Sequence, residues 1–239
     1  MRPLGPAGHR GKGEHFIAEG DEYANEPSYD KTPKFLYQYP KTIIVTNIDF
    51  DHPDLFADIN HVSRAFLQFL QTLPSDGVAI INGDDSELRK MKPLISTRTV
   101  TYGRSAMNDF TLTKVGTIPH KTTFFAKHKD MDLGEFTIGI PGVHNALNAL
   151  SVIAAALELG LPIETIRKHI SVFQGAKRRF EFVGKHANGV MLFDDYAHHP
   201  TEIMATLKGM KEKYPDKKRI AFFQPHLFSR TKILLNEFS

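Results

Sequence analysis

The feature that most constrains the fold is a pair of short apolar runs separated by a stretch of helical periodicity. Residues 42–47 and 77–82 are rich in isoleucine and valine, which favours buried strands. Between them, apolar side chains recur at the three- and four-residue spacing of an amphipathic helix. These side chains are Ile59, Val62, Phe66, Phe69, Leu70 and Leu73. A strand, a helix and a strand in this order predict a βαβ unit, and therefore an α/β fold with a mostly parallel sheet.

The next hundred residues predict a small antiparallel addition followed by two helices. Residues 99–139 contain runs that alternate apolar and polar side chains, a pattern typical of antiparallel strands. An alanine- and leucine-rich stretch at 145–159 predicts a helix that ends at Gly160, and a second helix is expected to begin near Pro162.

We predict a domain boundary near Gly175, which divides the chain into residues 1–175 and 176–239. The second part has too few strands and helices to cover both faces of a parallel sheet, so we expect that domain to be cut short. Its predicted elements are a hairpin of 180–185 with 190–194, a helix at 201–214, a strand at 219–223 and the start of a helix at Arg230.

Composition excludes several classes of protein. The 30 basic and 27 acidic residues are spread along the chain, so the net charge of +3 predicts neither a nucleic-acid nor a membrane partner. Because the chain has no cysteine, it has no disulfide, thiolate nucleophile or cysteine zinc site. No apolar run has the length of a bilayer and no signal peptide is recognisable, so we expect a soluble, cytoplasmic protein.

A polar run at 194–202 directly follows the apolar strand predicted at 190–193. Polar clusters at the carboxyl end of a strand commonly bind ligands. The run also fits a helix start, with Pro200 and Thr201 in the first turn. A metal-dependent hydrolase is another hypothesis for its acidic and histidine side chains, which are Asp194, Asp195, His198 and His199.

Six segments, taken together and in this order, resemble the Mur ligases of peptidoglycan synthesis. They are residues 18–22, 46–52, 141–149, 178–180, 194–202 and 223–231. The resemblance implies a P-loop-type central domain, here incomplete, and the start of a Rossmann-like carboxyl-terminal domain. Within the family the segments are most similar to ligases that add L-alanine. That similarity implies an ATP-dependent, ADP-forming ligase that joins L-alanine to the lactyl carboxylate of UDP-N-acetylmuramate through an acyl phosphate.

The resemblance also implies the cofactors ATP and Mg²⁺ and the residues that bind them. Glu19 and His52 match the magnesium-liganding positions, and each is expected at the end of a predicted strand. Oxygen ligands with an occasional imidazole suit this cation. The residues implied at ATP are His144, Asn145 and Asn148 at the adenine, Arg178 or Arg179 at phosphate, and Asp195 near the ribose or the hinge. Phe180 directly after the two arginines indicates that one of them faces inward.

The substrates are expected to meet the second domain. His198 and His199 are implied near the muramoyl and amino-acid substrates, although neighbouring side chains on an extended chain point apart and only one should touch substrate. Gln224 and His226 are implied on the same side, and Arg230 suits the alanine carboxylate through a bidentate pair. The implied catalytic residues are His52, His198 and Arg230.

Two departures from the family pattern leave alternatives open. The segment of residues 21–35 is longer than the corresponding segment of typical alanine-adding ligases and is similar to that of the sister ligase that recycles murein tripeptide. The family's phosphate loop has no equivalent, because the nearest match, Gly8 to Gly13, lacks the final hydroxyl residue. We therefore expect an internal fragment, inactive alone, with Met1 an internal start and Ser239 an arbitrary end. A noncatalytic nucleotide-binding remnant is a further hypothesis.

Overall fold

The computed structural model describes residues 11–118 and 121–238, without the side chains of residues 117 and 118. The first half of Gly8 to Gly13 and both chain ends therefore lie outside the described residues. A six-stranded mixed sheet forms the centre. Its strands, in spatial order, are β3 (Thr42–Val45), β4 (Val78–Asn82), β5 (Arg98–Gly103), β6 (Phe110–Ile118), β7 (Lys121–His128) and β8 (Met131–Ile138).

The sheet is parallel from β3 to β6 and antiparallel from β6 to β8. The predicted βαβ unit and antiparallel addition are confirmed, but the addition begins at β6, because β5 pairs in parallel with β4. A short hairpin of β1 (Ala24–Glu26) and β2 (Asp30–Pro33) precedes the sheet and leads into a 3₁₀ turn at Lys34–Tyr37.

Helices cover both faces of the sheet, as a parallel sheet requires. One face packs on α1 (Ile59–Gln71) and α2 (Ser86–Met91), and Phe35 stacks on Phe69 of α1 at 4.5 Å. A second 3₁₀ turn, Lys92–Leu94, follows α2. The other face packs on α3 (Val143–Glu158) and α4 (Ile163–Ser171), which confirms the two predicted helices.

The carboxyl-terminal segment folds as a hairpin and two helices beside this domain. The hairpin joins β9 (Glu181–Lys185) to β10 (Met191–Asp194), and α5 (Pro200–Lys213) and α6 (Phe228–Ile233) follow. These elements confirm the predicted hairpin and helix. Among the described residues, no helix has the length and apolarity to cross a membrane.

The strand predicted at 219–223 is wrong, because these residues have no regular structure and Phe222 is 96% exposed. A strand is stable only when its backbone groups pair with a neighbouring strand. Residues 219–223 pair with none of the described strands, so their backbone lacks the inter-strand hydrogen bonds that a strand requires despite the apolar side chains.

Candidate functional site

The site is centred on Asp51, in the loop that follows β3. Its Oδ1 accepts hydrogen bonds from the backbone N–H of His52 and from Nε of Arg230, both at 2.6 Å. Its Oδ2 lies 3.7 Å from Nε2 of His52 and 4.0 Å from Nε2 of His198. Burial raises the pKa of Asp51, but Arg230 and His52 outweigh it and hold the pKa below its usual value. Asp51 is therefore a carboxylate that lies between the Arg230 guanidinium and two histidines.

Residues 49–52, which we call the docking loop, contact the carboxyl-terminal segment at three successive positions. Oδ2 of Asp49 accepts a hydrogen bond from the Thr201 hydroxyl at 2.8 Å, and the Phe50 carbonyl lies 3.1 Å from Nε2 of His199. The third contact is the ion pair of Asp51 with Arg230, and Arg230 is only 1% exposed. The loop thus joins segments about 150 to 180 residues apart in the chain.

His52 lies in this loop, seven residues beyond the last residue of β3, so its expected position at a strand end is wrong. Nε2 lies 3.1 Å from Oε1 of Glu22, and Nδ1 is buried without a partner. Burial lowers the pKa of His52, but the carboxylates of Glu22 and Asp51 outweigh it and raise the pKa above its usual value. Because a carboxylate only accepts, the contact with Glu22 requires a proton on Nε2.

Glu19 is exposed in a segment without regular structure, so the strand expected before it is also wrong. Its backbone carbonyl accepts a hydrogen bond from Gln38. Among the described residues, no group of three or more acidic, histidine or cysteine side chains is arranged to hold a metal. His52 and Glu22 offer one potential metal-ligand atom each, in contact with one another. Two protein ligands suit a magnesium ion only where phosphate oxygens and water complete its coordination shell.

His198 and His199 point to different partners, as expected of neighbours on an extended chain. Nδ1 of His198 lies 2.8 Å from the Tyr196 carbonyl, whereas its Nε2 faces Asp51. His199 is buried and begins α5: its Nδ1 accepts from the Thr201 backbone and its Nε2 contacts Phe50. Both ring nitrogens of His199 thus contact other parts of the protein. For His199, these contacts favour the interpretation of the 194–202 run as a helix start.

Glu202 completes a capping box at this helix start. Its Oε2 accepts from the backbone N–H groups of His198 and His199, and its Oε1 lies 3.2 Å from Arg179. Burial raises the pKa of Glu202, but these hydrogen bonds and the Arg179 charge outweigh it and lower the pKa. The box fixes the backbone direction of the two histidines.

Asp195 joins elements of the carboxyl-terminal segment close to the predicted boundary. Oδ2 accepts from the Phe180 backbone at 2.7 Å and from the Thr206 hydroxyl at 3.2 Å, and Oδ1 accepts from the Ala197 backbone at 2.8 Å. Each of these donors belongs to the carboxyl-terminal segment or its entry. Asp195 therefore holds the entry of that segment onto the start of α5.

Arg178 and Arg179 are both exposed, so the prediction that one of them faces inward is wrong. Arg178 lies over the Tyr196 ring at 4.5 Å and reaches Asp194 at 3.5 Å. Each guanidinium pairs with an exposed or half-buried carboxylate, which explains why neither enters the core.

The segment implied at adenine forms the start of α3. Gly142 begins this helix with φ of 103°, a left-handed conformation that favours glycine, and a Cβ there would lie 2.6 Å from the His144 ring. Asn145 donates to the Pro141 carbonyl at 2.6 Å. Asn148 follows one turn later and is exposed, so its carboxamide is accessible on the same helix face.

Gln224 and His226 are exposed in a segment without regular structure, where no strand precedes them. The His226 carbonyl accepts from Arg230 at 3.5 Å. Asp194, Asp195, His198 and His199 have separate partners, an arrangement that does not favour the metal-dependent hydrolase.

Sequence reasoning assigned no role to four residues of the site. They are Glu22, Asp49, Asp51 and Glu202. Asp51 could have been found from its place beside His52 in a polar loop after a strand. Glu202 carries a local signal, because a glutamate three residues after a helix cap is typical of a capping box. Glu22 and Asp49 carry none, because each is defined by a partner far along the chain.

Comparison with protein families agrees with this two-part arrangement. Residues 12–156 match the family described as "Mur ligase middle domain". The chain belongs to the Mur ligase family. Residues 178–239 match the "Mur ligase, glutamate ligase domain", and the predicted resemblance is confirmed. The matches leave residues 157–177 unassigned, and the boundary near Gly175 stays a prediction.

Relatives of this Mur ligase chain include alanine ligases. The chain is 40% identical over 238 residues to the UDP-N-acetylmuramate–L-alanine ligase of Geobacter sp. strain M21, covering 100% of this chain and 50% of that protein. It is 38% identical over 229 residues to the ligase of the same name from Myxococcus xanthus, covering 96% and 46%. The chain thus spans about half the length of the curated relatives it matches.

Solved Mur ligase structures are also similar. The UDP-N-acetylmuramate-alanine ligase of Thermotoga maritima superposes with a TM-score of 0.68 at 26% identity, covering 83% of this chain and 44% of that one. The UDP-N-acetylmuramate:L-alanyl-gamma-D-glutamyl-meso-diaminopimelate ligase of Neisseria meningitides gives 0.59 at 28% identity, covering 67% and 48%.

Proposed function

We propose that the protein containing this chain is an ATP-dependent ligase that joins L-alanine to the lactyl carboxylate of UDP-N-acetylmuramate. The observation that carries the proposal is the convergence of His52 and His198 on Asp51, in a chain whose full length aligns with half of an alanine ligase. One histidine comes from the segment matching the middle domain and the other from the segment matching the ligase domain. A reaction between two substrates held by different segments requires such a convergence.

In the proposed reaction, a carboxylate oxygen of the muramoyl group attacks the γ-phosphorus of ATP, and ADP leaves. The alanine amine then attacks the acyl carbon of the acyl phosphate, and inorganic phosphate leaves. A base must take one proton from the amine. His198 suits this role because Nδ1 faces the Tyr196 carbonyl, which only accepts, so the neutral imidazole has its lone pair on Nε2. Asp51 at 4.0 Å stabilises the imidazolium that results.

ATP would lie between α3 and the carboxyl-terminal segment. Asn148 and His144 offer exposed polar groups to the adenine, and Asn145 continues the same helix face. Arg178 or Arg179 would break its ion pair with a carboxylate and bind a phosphate oxygen instead, since both arginine side chains are exposed. Asp195, Gln224 and His226 remain predictions for the ribose and the amino-acid side.

Magnesium would be held by Nε2 of His52, after loss of the proton that faces Glu22, with a carboxylate from residues 19–22. Glu22 contacts His52, whereas Glu19 would have to turn towards it. When bound, Mg²⁺ neutralises phosphate charge during phosphoryl transfer. The imidazole and carboxylate are an appropriate donor set for a cation that keeps phosphate and water ligands.

The test is an assay of the complete protein for phosphate release that depends on ATP, L-alanine and UDP-N-acetylmuramate together. The product should contain one new amide bond, detected by mass spectrometry. His198→Gln should lower kcat by about 100-fold, the range typical of a removed general base. Lys41→Gln is the matched control, because Lys41 forms an exposed ion pair with Asp76 outside the site. Release of phosphate without alanine, or no amide product, would refute the proposal.

A murein-tripeptide ligase is the second candidate. The observations that favour it are the β1–β2 hairpin in the long 21–35 segment and the similarity to the Neisseria meningitides ligase. Replacing L-alanine with the tripeptide in the same assay separates the two. We further propose that the isolated chain binds ATP weakly and turns over nothing, because it carries no phosphate-loop motif.

A further inference from the structure

The imidazole of His52 is held by a hydrogen bond at only one of its two nitrogens. Nε2 lies 3.1 Å from Oε1 of Glu22, whereas Nδ1 is buried and has no hydrogen-bond partner in the described part of the chain. A histidine that binds a metal usually donates its other ring N–H to a carboxylate or a carbonyl, which fixes the plane of the ring. Because His52 lacks that partner, its ring plane must be fixed by packing once a cation takes Nε2.

Tyr23 supplies this packing. Its ring lies against the imidazole of His52, with the two ring centroids 4.7 Å apart and the planes tilted by 45°. Its hydroxyl donates a hydrogen bond to Oδ2 of Asp54 at 2.6 Å. Asp54 lies in the turn that His52 begins, where the His52 carbonyl accepts the backbone N–H groups of Leu55 and Phe56, both at 2.8 Å. Tyr23 therefore contacts both the ring of His52 and the turn that carries it.

The segment around the β1–β2 hairpin holds Tyr23 in place. The Tyr23 N–H donates to Oδ1 of Asp21 at 2.9 Å, and its carbonyl accepts the N–H of Lys34 at 3.0 Å. Nζ of Lys34 pairs with Asp21 at 2.8 Å and lies 5.7 Å from the centroid of the Tyr23 ring. The next residue, Phe35, is fully buried and stacks on Phe69 of α1. The hydrophobic core thus anchors the segment that presents Tyr23 to His52.

We propose that Tyr23 is a positioning residue that fixes the ring plane of His52 and so directs Nε2 towards the cation. The packing of Tyr23 takes the place of the missing second hydrogen bond, and Asp54 and the β1–β2 hairpin fix Tyr23 in turn. Tyr23 itself binds neither the metal nor a substrate. The proposal rests on the proposed function in so far as His52 binds the cation.

The test measures binding of Mn²⁺ to the complete protein in the presence of ADP, with free Mn²⁺ followed by electron paramagnetic resonance. Mn²⁺ accepts the same kinds of ligand as Mg²⁺. Tyr23→Leu removes the aromatic ring and should weaken Mn²⁺ binding by about tenfold. Tyr23→Phe keeps the ring but loses the hydrogen bond to Asp54, so it should weaken binding by only about two- to threefold. Tyr29→Leu is the matched control and should leave the affinity unchanged, because Tyr29 is 84% exposed in the same hairpin.

Double variants separate positioning from a general loss of structure. His52→Gln should weaken Mn²⁺ binding by about tenfold or more, and adding Tyr23→Leu to it should cause no further loss, because Tyr23 acts through His52. An unchanged affinity in either single variant, or an equal effect of Tyr23→Leu in both backgrounds, overturns the proposal. If Tyr23→Leu does not fold, Tyr23→Phe and Asp54→Ala decide the question. Their double variant should bind no more weakly than either single variant, and additive losses overturn the proposal.

The kinetic consequence is also tested on the complete protein. The Mg²⁺ concentration for half-maximal rate should rise by about tenfold in Tyr23→Leu. The KM for L-alanine should stay within about twofold, because no substrate contact is removed. A KM for L-alanine that rises as much as the Mg²⁺ requirement would show that Tyr23 does not act on the cation alone, and the proposal would be wrong.

Failure of this proposal is distinguishable from failure of the proposed function. If the complete protein makes no amide bond, the proposed function fails, while the Mn²⁺ affinities still decide the role of Tyr23. If the protein is active and Tyr23→Leu binds Mn²⁺ as the parent does, the positioning role fails and the ligase assignment stands.

Discussion

Replacing Asp195 tests whether one carboxylate holds the entry of the carboxyl-terminal segment onto α5. Its two oxygens serve different backbone donors: Oδ2 accepts from Phe180 and Oδ1 from Ala197. An asparagine has only one acceptor oxygen, so Asp195→Asn satisfies one backbone N–H and turns an NH₂ group towards the other. Asp194→Asn is the matched control, because Asp194 reaches the exposed Arg178 only at 3.5 Å.

The expected magnitudes follow from these contacts. A hydrogen bond to a charged acceptor contributes about 1.5–3 kcal/mol. Because Asp195→Asn loses one such hydrogen bond together with the negative charge, it should reduce the free energy of unfolding by about 2 kcal/mol. Asp195→Ala loses both backbone contacts and should cost about 3–4 kcal/mol, since partial exposure lets water replace part of the second bond. Asp194→Asn breaks an exposed ion pair and should cost less than about 0.5 kcal/mol.

Urea unfolding followed by circular dichroism measures these differences in the isolated chain. Hydrogen exchange then locates them: the amide of Tyr196, which donates to the Arg178 carbonyl at 2.7 Å, should exchange faster in Asp195→Asn than in the parent chain. If Asp195→Asn and Asp194→Asn have the same unfolding free energy within about 0.5 kcal/mol, the reasoning is refuted. Asp195 would then be an exposed carboxylate available for the ribose.

Three further predictions concern stability and titration. Phe35→Ala should reduce the free energy of unfolding by about 3–5 kcal/mol by urea titration, because Phe35 is fully buried, whereas Tyr39→Ala, 83% exposed, should change it by less than about 0.5 kcal/mol. Glu202 has a lowered pKa in the fold, so its stabilising effect is present above the unfolded pKa of about 4.3 and is lost as pH falls through the folded value. Between about pH 5 and pH 3, the free energy of unfolding should therefore fall more in the parent chain than in Glu202→Gln. Equal decreases in the two chains would contradict this prediction. Asp30 should titrate at a pKa of about 2 by NMR because Asn25 and Thr32 donate to its carboxylate, and Asn25→Ala should raise that pKa; no rise would refute the assignment.

Periodic elements could be predicted from the sequence because their signal is local. The helix with apolar residues from Ile59 was expected at helical spacing and is α1, and the run at 77–82 is β4, within one residue. The strand at 219–223 failed because a strand also needs a neighbour with which to pair, and apolar residues alone do not supply one. Its pattern is as favourable as that of β4, but its backbone has no partner among the described strands.

The candidate site could be predicted only in part. The resemblance identified His52, His198 and Arg230, and the structure brings all three to one carboxylate. It did not identify Asp51, because the role of Asp51 is defined by an ion pair with a residue 179 positions away. Side-chain direction was equally inaccessible: Glu22 and not Glu19 reaches His52, in a segment without periodicity to orient either residue.

Strained backbone conformations explain why the site escapes pattern-based prediction. In the described part of the chain, the non-glycine residues with positive φ are His52, Lys129, Arg178, Phe180 and Leu227. Lys129 lies in the β7–β8 turn, and His52 and Leu227 flank the contact of Asp51 with Arg230. Arg178 and Phe180 lie at the entry of the carboxyl-terminal segment, beside Asp195. His52 donates its strained backbone N–H to Asp51, and Phe180 donates its own to Asp195. Such conformations cost about 1–3 kcal/mol each and persist only where surrounding contacts compensate. The carboxylates of Asp51 and Asp195 supply that compensation, so these acidic residues support the geometry of the site even before any ligand binds.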